Sequence, residues 1–128
     1  MGKYIIAKFE DQSERIVADF SNGRADLFYE VTTLLEKFLQ TPSGMAPDNG
    51  SNEYYLSATQ FPEFFEVFWQ SGWLSDIESS FVIGWAEHAA GILMNISLNS
   101  AKWIDRNGRT LKIKRSPLHN SNLENLLK

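Results

Sequence analysis

The stretch RIVADFSNGRADLFYEVTTLLEKFL, Arg15–Leu39, changes its hydrophobic period part-way through, and that change sets the fold class. Ile16, Ala18 and Phe20 alternate with Arg15, Val17 and Asp19, close to the period of two of a half-buried strand. Ser21, Asn22 and Gly23 end the run. From Asp26 onward Leu27, Val31, Leu34, Leu35, Phe38 and Leu39 recur at spacings of three and four, which predicts an amphipathic helix whose apolar stripe faces the core. Asp26 is its expected cap, Lys37 complements its C-terminal end, and Thr41, Pro42, Ser43 and Gly44 stop it.

Upstream, Lys3–Phe9 reads as a strand that a polar turn, Glu10–Ser13, folds back as a hairpin onto Arg15–Phe20. Downstream, Thr41–Asn52 (TPSGMAPDNGSN) has no periodicity and reads as a mobile surface loop, near the length at which loops are functional or disordered. A second helix is expected over Thr59–Gln70, with Pro62 tolerated in a first turn whose amides have no intrahelical partner. Its broad aromatic face is Phe61, Phe64, Phe65, Phe68 and Trp69, with Glu63 and Glu66 opposite, in water.

For Phe81–Leu98 the reading is two strands turning around Glu87–Gly91. Gly84 and Gly91 each disfavour a helix by about 1 kcal/mol, and Phe81, Val82, Ile83, Ile92 and Ile96 favour strands. Lys102–Arg106 and Arg109–Lys114 flank Asn107-Gly108, a tight hairpin turn, and Leu123, Leu126 and Leu127 suggest a short helix in the tail after Pro117. The order predicts one α+β domain over residues 1–128, an antiparallel sheet with two main helices packed on one face.

A chain of 128 residues, 43% hydrophobic and 13% aromatic, is enough for one core without metal or disulfide support. Cysteine is absent, which removes disulfides, thiol nucleophiles and cysteine-based zinc sites and suits a reducing cytoplasm. The opening MGKYIIAKFEDQSER lacks the apolar core of a secretory signal, and the most apolar region, Phe81–Leu98, is broken by Glu87, His88 and Asn95, so no membrane role is expected. Charge is uneven. Residues 1–90 hold five basic and fourteen acidic residues, a net −9, whereas residues 91–128 hold seven basic and two acidic, a net +5.

No catalytic, cofactor-binding or metal-ligating motif is present. His88 and His119 are far apart and in no metal-ligand spacing, and Glu87 beside His88 is read as a satisfied polar pair in a turn. Glu63 and Glu66 have the residue types of a hydrolase acid and base, but a solvated helix face is the more economical reading. Gly44, Gly50 and Gly72 are isolated rather than part of a phosphate loop, and no serine is flanked by glycines as in a nucleophile elbow. An enzyme would have to be hydrolase-like, with a site scattered around Glu87 and His88.

Lys102, Arg106, Arg109, Lys112, Lys114 and Arg115, with Trp103 for stacking, are the only pointer to nucleic acid. Lys112 and Lys114 alternate with Leu111 and Ile113 as on a solvated strand face, and a net charge of −4 repels phosphate, so no nucleic-acid partner is expected.

Protein binding accommodates the same residues more simply. Asp48, Glu53, Glu63, Glu66, Asp76 and Glu78 are interleaved with Tyr54, Tyr55, Trp69 and Trp73, an acidic surface around aromatic anchors that suits a basic partner. The expected contact residues are Asp48, Glu53, Glu63, Glu66, Trp73, Asp76 and Glu78. In general character, small, acidic, α+β, cysteine-free and rich in aromatic residues, the chain resembles the immunity proteins of bacterial toxin systems, particularly those of contact-dependent growth inhibition. That resemblance implies a cytoplasmic toxin inhibitor that binds a cognate toxin, commonly a basic nuclease, and occludes its active site. A phage-encoded inhibitor of a host nuclease would present the same chemistry.

Overall fold

The computed structural model describes residues 2–48, 53–71 and 80–97. The expected C-terminal hairpin over Lys102–Lys114, the tail helix, His119, Trp73, Asp76 and Glu78 lie outside the described residues. Among the described residues the order is β1 (Gly2–Lys8), β2 (Glu14–Ser21), α1 (Asn22–Leu39), β3 (Ala46–Pro47), β4 (Tyr54–Ser57), α2 (Gln60–Gln70) and α3 (Ser80–Ser97). The fold is α+β.

The sheet is mixed rather than antiparallel, in the order β2-β1-β4-β3. β1 pairs antiparallel with β2, as the hairpin reading required, but β4 joins β1 in parallel, with Ile5 opposite Tyr54 and Lys8 opposite Ser57. The parallel pairing follows from connectivity: α1 carries the chain back along the sheet so that β3 runs in the direction of β2, and β4, folded back antiparallel to β3, then runs with β1. The hairpin closes through Phe9 and Ser13, with Gln12 in the left-handed region at φ 73°.

β2 does not alternate cleanly. Ile5 opposes Ala18 and Ile6 opposes Ile16, so Val17 is the extra residue of a β-bulge, and both Val17 and Ala18 are fully buried. The Val17 carbonyl, freed from the ladder, accepts a hydrogen bond from Asn95 Nδ2 at 2.8 Å. Arg15, brought round by the bulge, donates to the Ile96 carbonyl at 3.0 Å and so meets the orphan carbonyls in the last turn of α3.

Residues 81–98 do not form two strands turning at Glu87–Gly91, for Ser80–Ser97 is one helix. Two glycines cost less than its burial contributes. Ala86, Ala89, Ala90 and Ile92 are almost fully buried, and the small side chains let α3 approach its neighbours closely. Among the described residues there are therefore three helices rather than two, and Glu87 and His88 lie mid-helix.

The core is built around Trp85. Its ring stacks between Phe28 and Phe65, each 5.9 Å away, and meets the edges of Phe64 at 6.0 Å and Phe68 at 4.9 Å. Its Nε1–H donates to Thr32 Oγ1 at 2.8 Å, and that hydroxyl donates to the Phe28 carbonyl at 2.7 Å, so the buried polar atoms are satisfied in a chain.

α1 starts earlier than expected, after Ser21, and Asp26 is not its cap but sits a turn inside, bonded to Lys3 and Tyr54. Its buried face is Ala25, Phe28, Thr32 and Leu35. The stripe expected to be core is split: Leu35 is buried and Val31 and Leu39 pack against the core, whereas Leu27 is 43% exposed, Leu34 52% and Phe38 60%. Thr41–Asp48 is likewise not a mobile loop. Glu36 accepts the Ser43 amide at 2.9 Å, Ser43 and Met45 are buried, and Ala46–Pro47 pair with β4.

Candidate functional site

The acidic face of α2 begins with how the helix is anchored. Ser57 Oγ accepts the amides of Thr59 at 3.2 Å and Gln60 at 3.0 Å, Pro62 has no amide to satisfy, and Phe61, Phe64, Phe65 and Phe68 are fully buried. The positions between them are fixed in water as a consequence. Glu63 and Glu66 are exposed there beside Val67, which is 39% exposed, and Gln70 donates to Glu66 Oε1 at 2.9 Å. Trp69, half-buried, lies parallel to Phe65 at 6.3 Å.

Asp48 and Glu53 are brought together elsewhere, at the β3–β4 edge, where the Asp48 amide donates to the Glu53 carbonyl at 3.0 Å. With Glu14 they surround Tyr55, whose phenol is pushed above its ordinary value, first by burial and then by the negative charge of Glu14, Asp48 and Glu53. Lys8 lies over the Tyr55 ring at 4.2 Å. The expected contact residues thus fall on two supports, Glu63 and Glu66 on α2 and Asp48 and Glu53 at the sheet edge, while Trp73, Asp76 and Glu78 are outside the described residues. Tyr54 is not available as an aromatic anchor, being 8% exposed with its hydroxyl on Asp26 at 2.6 Å.

A third feature is a groove of about 170 Å³ between α1 and α3. Leu27 and Val31 form one wall, Phe81 and Gly84 the other, and Phe28 and Trp85 the floor. Arg24 and His88 are its polar members. His88 packs edge-on against Phe20 at 4.9 Å, and Glu87 is buried. Consecutive residues on a helix diverge by about 100°, so Glu87 and His88 do not converge on a common point as an acid–base pair must.

No family model, curated protein or solved structure matches this chain. What remains is the chemistry of the surfaces. In a chain of net −4, residues 1–90 carry five basic against fourteen acidic side chains, a net −9. Three of the five cations are engaged within the fold: Lys3 is 2.8 Å from Asp26, Lys8 covers Tyr55, and Arg15 caps α3 while lying 4.7 Å from the Phe9 ring. Among the described residues no group of three or more His, Asp or Glu is placed to hold a metal ion, and no helix is long and apolar enough to cross a membrane.

Sequence reasoning missed Arg24, Phe81 and Gly84, because reading 81–98 as strands removed one wall of the groove. Ala86, Ala89 and Ala90, small residues three and four apart, were the signal for a helix.

Proposed function

We propose that this chain is a non-catalytic binding module that neutralises a cognate bacterial toxin, a basic nuclease, in the cytoplasm, by holding a basic surface of the toxin against its own acidic one. The supporting observation is electrostatic: in a chain of net −4 the first ninety residues carry a net −9, three of their five cations are engaged within the fold, and Glu63 and Glu66 are presented on a helix anchored by four buried phenylalanines. Carboxylates fixed in this way reproduce the charge of a phosphate backbone without the entropy cost of ordering them on binding, and they speed encounter with a basic partner. Asp48 and Glu53 extend the negative field to the sheet edge, and Trp73, Asp76 and Glu78 complete the proposed contact.

The test is affinity capture from the native host's lysate at moderate salt, with the Glu63→Lys/Glu66→Lys variant alongside. A single stoichiometric basic protein, retained by the native chain and lost by the variant, supports the reading. Retention unchanged by charge reversal removes α2 from the contact, and no retained protein from a host expressing the neighbouring gene products overturns the inhibitor reading.

A further inference from the structure

Three residues of the apolar stripe on α1, Leu27, Leu34 and Phe38, are exposed while Val31 packs against the core at its inner edge, and the spacing is that of a helix-pairing seam. Leu27, Val31, Leu34 and Phe38 follow one another at four, three and four residues, the alternation that keeps one line of side chains facing a second helix. Leu34 and Phe38 are more than half exposed, and across the groove Phe81 is 63% exposed, so the patch spans two helices. Contiguous apolar surface of this kind marks an interface.

The residues bordering the seam identify the partner. On one side are Phe28 and Leu35, committed to the core; on the other are Glu30 and Lys37, both exposed, seven residues apart and opposite in sign. We infer that the face is covered by a second copy of this chain, with the two α1 helices antiparallel about a two-fold axis near Thr32 and Thr33. Val31 then meets Leu34 of the second copy and Leu27 meets its Phe38, which arrives at the mouth of the α1–α3 groove. Glu30 faces Lys37 of the second copy, and the symmetry makes that pair twice. A parallel pairing would instead set Glu30 towards Leu35 of the other copy, which is buried in its own core. The patch is self-complementary only in the antiparallel sense. The inference concerns α1 and stands independently of what the acidic face of α2 binds.

Sedimentation equilibrium of the full chain at low salt tests it, with folding monitored by circular dichroism. The native chain is expected to be a reversible dimer. Lys37→Glu alone, or Glu30→Lys alone, sets like charges against each other twice and weakens association by about tenfold or more. The double variant Glu30→Lys/Lys37→Glu restores it, and mixing the two single variants gives a heterodimer. Leu34→Asp, at an exposed position, gives a folded monomer. A native chain that stays monomeric at its highest soluble concentration overturns the proposal, as does a dimer whose strength ignores the charge exchanges.

Discussion

α1 and α2 carry apolar stripes of similar regularity, yet one is core and the other is surface. In α2 the phenylalanines that recur at three and four residues are all fully buried, and the charged positions between them face water. In α1 the equivalent stripe, Leu27, Val31, Leu34 and Phe38, stands largely outside, and the buried line is Ala25, Phe28, Thr32 and Leu35. The helical period fixes that a helix exists and roughly where it ends. It selects the buried face only when one face alone is apolar. α1 has two, and the choice between them is made by a residue fifty-three positions away: Trp85 needs an acceptor for its indole N–H, and Thr32 supplies it.

The sharpest way to break the contrast is to remove matched side chains from the two helices. Phe64→Ala or Phe68→Ala opens a cavity beside Trp85 and is expected to destabilise the domain by about 3–5 kcal/mol in urea titration. Phe38→Ala, the same chemical change at a position 60% exposed, is expected to shift stability of the dilute chain by less than about 0.5 kcal/mol. Equal losses at Phe38 and Phe64 would mean that the α1 stripe is core after all.

The same contrast explains what could be read from the sequence. The β1–β2 hairpin, α1 and the four-phenylalanine face of α2 were legible because each has a local period and local stop signals. The parallel β1–β4 pairing was not, since the direction of β4 is set by α1 together with the short strand β3, which has no local period of its own. α3 was misread because glycines and β-branched residues were weighed by propensity, whereas burial of a small-residue face decided the outcome. Of the candidate site, Glu63 and Glu66 could be placed outward from the phenylalanines beside them. Asp48 and Glu53 could not be assigned to a separate group, because that depends on Glu14 and Tyr55 converging at the far edge of the hairpin.

A smaller effect sharpens the account of why α1 turned Thr32 inward. Thr32→Val keeps the shape of the side chain and removes the acceptor, leaving the Trp85 N–H buried without a partner, at an expected cost of about 1–3 kcal/mol. Thr32→Ser keeps the acceptor and should lose less. The two variants, compared by urea midpoint, separate the hydrogen bond from the volume. If Val and Ser cost the same, packing alone holds Thr32 inward.

The smallest expected effect concerns the edge of α1 that faces the sheet through charge rather than packing. Asp26 accepts from Lys3 Nζ at 2.8 Å and from Tyr54 Oη at 2.6 Å, and these bonds, Lys3 first, hold its carboxyl below the ordinary carboxylate value of 3.8. The group therefore adds stability above its unfolded value and loses it as pH falls through the lower, folded one. Tyr54 works in the opposite range. Burial, then the bond to Asp26, raises its phenol above the ordinary value of 10.0, so its contribution is complete below that value and declines as pH rises beyond it. Stability should fall away on both sides of a neutral plateau. In a pH series of urea midpoints, Lys3→Met should lower the plateau, with the gap to the native chain closing below about pH 4 as Asp26 is protonated in both. Tyr54→Phe should flatten the alkaline limb. If the gap opened by Lys3→Met persists at low pH, the lysine acts through its aliphatic stem on Tyr54, whose ring lies 5.4 Å beneath its amine, and not through charge on α1.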